Sequence, residues 1–165
     1  MAGITVCALA VFVGGVYLSA RQRTREITEV INAWEKAERS LYTFTERELS
    51  EEDIEQKCSE VCDYYSEELR DEVYQQMYDS VAEIATDART VECYARIITD
   101  IRTDYRYGEI RAYMDCVIDY KGYGGYIVSG EDEDIEKRGK CTYTFDIEKK
   151  DDGYIITDIS VRWDE

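Results

Sequence analysis

The hydrophobic positions of the chain change their spacing twice, and each spacing predicts a different kind of element. Residues 2–20 contain no charged residue. From Thr24 onward, apolar residues recur at alternating intervals of three and four, which is the spacing of one helix face. After Arg89 they alternate with polar residues at an interval of two, which is typical of strands with one buried face. Helices followed by an antiparallel sheet predict an α+β fold.

The uncharged segment, residues 2–20, predicts a transmembrane helix. Nineteen helical residues extend roughly 28 Å, close to the hydrocarbon thickness of a bilayer. Tyr17 lies near one end, where membrane helices place aromatic residues. A cleaved signal peptide is the main alternative, although no basic region precedes the apolar stretch; a buried core helix is the other. We expect residues 1–20 to anchor the protein in a lipid bilayer as a single-pass span.

Three amphipathic helices are predicted between the anchor and the sheet. The first, in residues 21–48, continues the anchor as a stalk or docks on the sheet of the domain, and its apolar stripe is Ile27, Val30, Trp34, Ala37, Leu41 and Phe44. Ser50 predicts the N-cap of the second helix, whose stripe is Ile54, Cys58, Val61 and Tyr65. The third helix follows Ser66, with the stripe Leu69, Val73, Met77, Val81 and Ile84. We expect the first helix to complete an acidic α+β domain in residues 49–165.

Four segments carry the alternation of a curved antiparallel sheet. Two of them, 109–120 and 140–148, place apolar residues on one face throughout. In the other two segments the residues that we expect to face the core are Val91, Cys93, Ala95 and Ile97, and then Ile155, Thr157, Ile159, Val161 and Trp163. Residues 150–153 predict the last hairpin turn. An alternative with five strands adds 126–128 at the sheet edge, before an acidic loop in residues 131–136.

Composition narrows the possible functions. The net charge of −17 repels nucleic acid phosphates and anionic lipid headgroups, so the acidic surface is not expected to bind nucleic acid. The chain has no histidine, which removes the usual general base and the usual metal ligand. The acidic run in residues 131–134 lacks the spacing of a calcium loop. We therefore expect no catalytic site, no metal and no cofactor.

Two sets of residues are candidates for a specific role. A tyrosine beside a carboxylate can bind a polar ligand or polarise a carbonyl group, and the candidates for such a pocket are Tyr113, Asp115, Tyr120 and Tyr143. The alternative is that these tyrosines only build strands. Cys58 and Cys62 stand four residues apart on one helix face. They are candidates for a disulfide or redox pair, and core packing is the alternative.

The closing segment CTYTFDIEKKDDGYIITDISVRW, residues 141–163, resembles the last hairpin of the cystatin-like cone fold shared by nuclear transport factor and ketosteroid isomerase. The order of three helices and four strands agrees with that superfamily. With a membrane helix in front, the chain is similar to the membrane-anchored scaffold subunit of type IV secretion and conjugation systems. The resemblance implies a protein–protein scaffold outside the cytoplasmic membrane, and it transfers no catalytic residue to this chain.

The leading functional hypothesis is a membrane-anchored, non-enzymatic assembly module that binds other membrane-complex proteins or itself. The alternatives are a cone-pocket protein that binds a small apolar molecule, isomerase-like in kind, and a pilin-like filament subunit. Arg21, Arg23 and Arg25 follow the anchor and favour a cytosolic domain, whereas the resemblance favours the outside. We expect the extracytoplasmic side, where an oxidising environment would allow Cys93, Cys116 or Cys141 on neighbouring strands to pair.

Overall fold

The computed structural model describes the backbone of residues 2–42, 50–86, 91–123 and 134–164, and the side chains of residues 19–42, 50–82, 96–118 and 139–164. Its elements are α1 (Ala2–Leu41), α2 (Glu51–Cys62), α3 (Glu67–Thr86), β1 (Val91–Arg106), β2 (Glu109–Tyr123), β3 (Asp134–Lys150) and β4 (Gly153–Trp163). Three helices precede four strands, which confirms the predicted α+β class.

The strands form one antiparallel sheet in the order β1-β2-β3-β4, in which each strand pairs with its neighbour in sequence. The predicted fifth strand, residues 126–128, lies outside the described residues. Strand β3 begins at Asp134, so the sequence prediction of a loop reaching residue 136 was wrong for its last three residues. Asp134, Ile135 and Glu136 pair instead with the end of β2.

Helix α1 is continuous from Ala2 to Leu41, so it joins the uncharged segment directly to the amphipathic one. Its second half docks on one face of the sheet, and its residues Ile27, Ile31, Trp34 and Leu41 are buried there. Ile31 rather than Val30 carries the stripe between Ile27 and Trp34. This segment therefore continues the helix of the uncharged segment and also docks on the domain. Phe44 lies outside the described residues.

The predicted anchor is helical along residues 2–20. Within the described residues, no helix is long and apolar enough to cross a membrane. The side chains of residues 2–18, which make up most of the uncharged segment, lie outside that set. The membrane anchor therefore stays a prediction.

Helices α2 and α3 form a layer beside α1. Ser50 caps α2 as predicted, because its side chain accepts from the Asp53 amide while the Asp53 side chain accepts from the Ser50 amide. The connection between the two helices pairs with β4. The Ser66 amide donates to the Ile156 carbonyl, and the Ile156 amide donates to the Tyr64 carbonyl, both at 2.9 Å. These bonds hold the helical layer against the edge strand.

The core lies between the helices and one face of the sheet, which we call the inner face. Strands β2 and β3 bury every second residue on it, as the alternation predicted: Ala112, Met114, Cys116, Ile118, Cys141, Tyr143, Phe145 and Ile147. The turn between β3 and β4 uses Asp151, Asp152 and Gly153. Gly153 has φ +151°, a value that favours glycine.

The inward faces of the two outer strands differ from the prediction. In β4 the fully buried residue is Ile156, whereas the alternation predicts that its neighbours Ile155 and Thr157 face the core. A bulge opposite Asp146 and Ile147 leaves Thr157 without a partner in the register, and one extra residue exchanges the two faces of a strand. In β1 Ile97 is 51% exposed and Arg96 is buried, so the face predicted for Ile97 was wrong.

Candidate functional site: a buried arginine beneath the first helix

Arg96 projects from β1 into the core beneath α1. Its side chain is fully buried, and it forms an ion pair with Glu38 of α1. The same guanidinium nitrogen donates to the Tyr143 hydroxyl of β3 at 3.0 Å. The guanidinium also lies over the Tyr143 ring at 4.7 Å and over the Trp34 ring at 5.5 Å. We call these four residues the Arg96 cluster; they join α1, β1 and β3.

Aromatic side chains fill the space around the cluster. The Trp34 ring packs in a T-shaped arrangement against the rings of Phe145 and Tyr143, with ring centroids 5.0 and 5.9 Å apart. The Trp34 indole nitrogen donates to the Tyr65 hydroxyl at 3.1 Å, so the polar end of this buried tryptophan is satisfied. Trp34 and Phe145 are 1% and 0% exposed. In the described part of the cone, side chains therefore occupy the interior between α1 and the sheet.

The electrostatics of the cluster follow from burial. An arginine stays protonated in proteins, so Arg96 brings a permanent charge into the core. Burial raises the pKa of Glu38, while the Arg96 guanidinium opposes that rise. Burial likewise raises the pKa of Tyr65. A buried charge that loses its partner is costly, so the cluster requires α1 to sit in one position on the sheet.

The Arg96 cluster is suited to holding α1 in a fixed orientation on the sheet. The chain has no histidine, and within the described residues no group of three or more Cys, Asp or Glu is placed to hold a metal ion. Glu38, the carboxylate of the cluster, is engaged by Arg96. The arrangement suits a rigid connection between helix and sheet.

Three of the four candidate pocket residues have described side chains, and these three do not converge. Tyr143 faces the core, opposite Met114, whereas Tyr113 and Asp115 lie on the outer face. Asp115 accepts from the Thr142 hydroxyl at 2.8 Å and pairs with Arg102 at 2.8 Å. The Tyr120 side chain lies outside the described residues. Ligand binding by these residues stays a prediction, and the structure divides them between two faces.

The described residues form open depressions on the surface, and two of these lie away from Tyr113, Asp115 and Tyr143. One, of about 640 Å³, follows residues 21–29 along α1. The other, of about 360 Å³, lies at the β1–β2 turn and the neighbouring end of β3. Neither reaches the Arg96 cluster.

The cysteines whose side chains are described, Cys58, Cys62, Cys116 and Cys141, are buried free thiols. The side chain of Cys93 lies outside the described residues. Burial raises the pKa of Cys58 to about 11 and is the main cause of a raised pKa at Cys62. Cys116 and Cys141 meet across β2 and β3, with their sulfur atoms 3.4 Å apart. Burial raises the pKa of Cys116 to about 12. The disulfide predicted for Cys58 and Cys62 is not formed in this structure and stays a prediction.

Sequence reasoning missed Arg96 and Glu38. A signal for Glu38 was present: it stands four residues after Trp34 and three before Leu41, a spacing that places it on the buried stripe. A carboxylate at such a position needs a cationic partner. No comparable signal marks Arg96, since the arginine lies within an alternating strand and its direction depends on the register with β2.

No protein-family model matches the sequence, and no curated protein matches it either. Similar solved structures include a protein of the NTF2-like family from Streptomyces avermitilis, named as a candidate dehydratase, at 11% identity and TM-score 0.51, covering 86% of this chain and 96% of that one. A second is CagV, a VirB8 homologue of the type IV secretion system of Helicobacter pylori, at 13% identity and TM-score 0.45, covering 76% and 89%. A third is the intermembrane space region of the chloroplast protein ARC6, at 14% identity and TM-score 0.49, covering 86% and 97%.

These similarities concern the fold. The NTF2-like structure matches almost over its full length, which confirms the cone fold that the closing hairpin resembled. The VirB8 homologue and the ARC6 region have TM-scores below 0.5, so they carry no argument about this chain. The chain has a cone fold of the NTF2-like kind.

Proposed function

We propose that this protein is a membrane-anchored, non-enzymatic scaffold whose acidic domain acts through protein–protein contacts outside the cytoplasm. Residues 1–20 are the anchor in this proposal, and residues 21–48 connect it to the domain in residues 49–165. The observation that carries the proposal is the continuity of α1, which extends without a break from the uncharged segment to the core of the cone. A separate linker is absent between Ala2 and Leu41.

A rigid connection suits a scaffold. Trp34 and Leu41 fix the second half of α1 in the core, and the ion pair between Arg96 and Glu38 fixes its position on the sheet. A domain held in this way keeps one orientation toward the surface in which the helix is embedded. An assembly subunit benefits from that constraint, because its binding surface is then presented at a set height and angle.

The described surface also offers apolar contacts. Val161 and Trp163, at the end of the edge strand β4, are 42% and 49% exposed. Exposed tryptophan is enriched where proteins bind each other. The net charge of −17 favours basic surfaces on the partner. Other membrane-complex proteins, or a second copy of this chain, are the partners that we propose.

Membrane attachment is tested by adding one charge. Val11→Arg places an arginine at the middle of the uncharged segment, where it costs roughly 2.5–3.5 kcal/mol of insertion free energy. We expect this variant to shift from the membrane fraction to the soluble fraction. Tyr107→Arg adds the same charge at a fully exposed turn residue and should stay in the membrane. Equal distribution of wild type and Val11→Arg would contradict the anchor.

Partner binding is tested by affinity purification from detergent-solubilised membranes. Wild type should recover a stable membrane partner or a second copy of itself. Val161→Asp should lose it, while Tyr107→Asp, an equally charged change at a distant exposed site, should retain it. Recovery of monomeric protein alone from wild-type membranes would count heavily against a scaffold.

The side of the membrane is tested with protease added to intact cells or spheroplasts. An extracytoplasmic domain should be digested together with a known external domain. Survival of residues 21–165 under those conditions would place the domain in the cytosol, as Arg21, Arg23 and Arg25 favour.

The two alternatives have less support. The small-ligand alternative needs an internal cavity, and the described interior around Trp34 and Phe145 is occupied by side chains. The pilin-like alternative is disfavoured by α2 and α3, because they follow the long helix and precede the sheet in the chain.

A further inference from the structure

Two thiols face each other across the centre of the sheet. Cys116 of β2 and Cys141 of β3 are direct partners in the register, and their sulfur atoms are 3.4 Å apart. Directly opposed residues of antiparallel strands have Cα atoms about 4.5–5.5 Å apart. That range lies within the 4.4–6.8 Å that disulfides span. The register of the two strands is therefore compatible with a bond between these cysteines.

We propose that Cys116 and Cys141 are a disulfide-forming site, and that their cross-strand bond is the preferred intramolecular disulfide of the described cysteines. Cys58 and Cys62 are less suited, because residues four apart on a helix hold their Cβ atoms about 5–6 Å apart. A disulfide requires about 3.5–4.5 Å. Directly opposed strand residues hold their Cβ atoms about 4.5–5.5 Å apart, which is closer to that range, so the strands need a smaller adjustment than the helix.

The reaction is thiol–disulfide exchange with a small-molecule disulfide such as oxidised glutathione. One cysteine loses its proton, and its thiolate attacks a sulfur of the oxidant, which releases one reduced thiol and leaves a mixed disulfide. The second cysteine loses its proton and attacks the protein sulfur of that mixed disulfide, which releases the second reduced thiol. The protein gives up two electrons and two protons, and the oxidant becomes two thiols.

The access of an oxidant to the two thiols sets the rate at which the disulfide forms. Both cysteines are 2% exposed, and Cys116 ionises only at high pH because it is buried. Cys141 pairs in register with Trp163, whose side chain is half exposed at the end of β4. Opening of this strand end would expose the sulfur atoms to an oxidant. We expect oxidation to be slow in the folded protein and faster in mild urea.

The bond would close a loop from residue 116 to residue 141. Closing a loop of that length restricts the unfolded chain. We expect the oxidised protein to have a urea midpoint about 1 M higher than the reduced protein. The chemistry does not depend on the side of the membrane, but an extracytoplasmic domain would meet the oxidising environment that maintains the bond.

The test uses the full-length protein in detergent. Wild type is incubated with oxidised glutathione in mild urea and transferred to buffer without urea; its free thiols are then alkylated, and its peptides are mapped without reduction. The peptide linking Cys116 to Cys141 should dominate. A variant with both Cys58→Ser and Cys62→Ser should still form it, and Cys141→Ala should not. Reduction should lower the urea midpoint of oxidised wild type and leave that of Cys141→Ala unchanged.

Three outcomes would overturn the proposal. The first is a dominant linkage between other described cysteines. The second is the absence of any linked peptide after oxidation in urea. The third is an oxidised wild type whose urea midpoint equals that of the reduced protein. If Cys141→Ala fails to fold, Cys116→Ala serves in its place, and wild-type peptide mapping decides the linkage without any variant.

Discussion

The two faces of the sheet use the same strands and have opposite compositions. On the inner face, Phe145 is fully buried beside Trp34. On the outer face, the adjacent residue Thr144 is only partly buried. Neighbouring residues of one strand point to opposite sides of the sheet. Two residues that are adjacent in sequence can therefore differ in burial, and their variants show how burial alone affects stability.

Each face also holds an arginine paired with a carboxylate. Arg96 and Glu38 meet in the core, where the arginine side chain is fully buried. Arg111 and Asp146 meet on the outer face at 2.8 Å, with side chains 50% and 39% exposed. Water screens the outer pair, and its contribution to stability is small. In the inner pair the Arg96 side chain is fully buried and the Glu38 side chain is 18% exposed, so water replaces little of what either residue would lose without its partner.

The position of an ion pair in the molecule therefore decides its role. The outer pair can be lost without a change in the way the elements pack. The inner pair specifies where α1 lies on the sheet, because Glu38 belongs to the helix and Arg96 to β1. A scaffold that passes force or orientation from its anchor to its domain would rely on the inner pair.

The largest expected effect is a difference in stability between two variants of β3, one on each face of the sheet. Phe145→Ala should lower the free energy of unfolding by about 4 kcal/mol, because it leaves a cavity beside Trp34. Thr144→Ala, one residue away on the outer face, should change it by no more than about 0.5 kcal/mol. Urea unfolding followed by circular dichroism measures both. Similar losses for the two variants would mean that the outer face is also covered.

The next largest effect is a difference in stability between variants of the inner and the outer ion pair. Arg96→Ala should lower the free energy of unfolding by about 3 kcal/mol, since Glu38 would lose its partner in a site with little access to water. Arg111→Ala removes an arginine from a pair of similar geometry in water and should leave the urea midpoint close to that of wild type. The control for Arg96→Ala is the double variant with Glu38→Gln, which should recover part of the loss. A midpoint for Arg96→Ala equal to that of Arg111→Ala would show that burial of the pair is unimportant.

The residues of β2 and β3 illustrate how much of the fold was predictable. Their strict alternation, for example Met114 and Cys116 against Tyr113 and Asp115, correctly predicted the buried face. The capping residue Ser50 and the turn at Gly153 were also correct. These features depend on residues that are close in sequence, so one sequence is enough to predict them.

The Arg96 cluster and the face of β4 were not predictable, for different physical reasons. The direction of Arg96 depends on its pairing with Ile118 of β2, which is a relation between distant segments. The face of β4 changes at a bulge near Thr157, and no glycine or proline marks that position. A pattern of alternation cannot show where one extra residue is inserted.

The bulge yields a third prediction, of intermediate size. Ile156→Ala should lower the free energy of unfolding by about 2.5 kcal/mol, because Ile156 is fully buried. Ile155→Ala should cost clearly less, since the Ile155 side chain is only partly buried. The sequence alternation alone predicts the reverse order. Urea midpoints of the two variants distinguish the bulged register from the regular one.

The smallest effect concerns a thiol on the inner face. Burial raises the pKa of Cys116 to about 12, while a cysteine in an unfolded chain ionises near pH 8.5. The stabilising contribution of this group is therefore complete below about pH 8.5 and is lost as the pH rises toward 12. With a phosphine reductant present, the urea midpoint of wild type should fall between pH 8 and pH 11, and that of Cys116→Ala should fall less steeply. Ile118→Val removes a methyl group from the same face without removing a titrating group, so its midpoint should be lower at every pH but fall in parallel with wild type. Parallel curves for Cys116→Ala and wild type would mean that the thiol ionises as readily in the folded protein as in the unfolded chain, which a buried inner face does not allow.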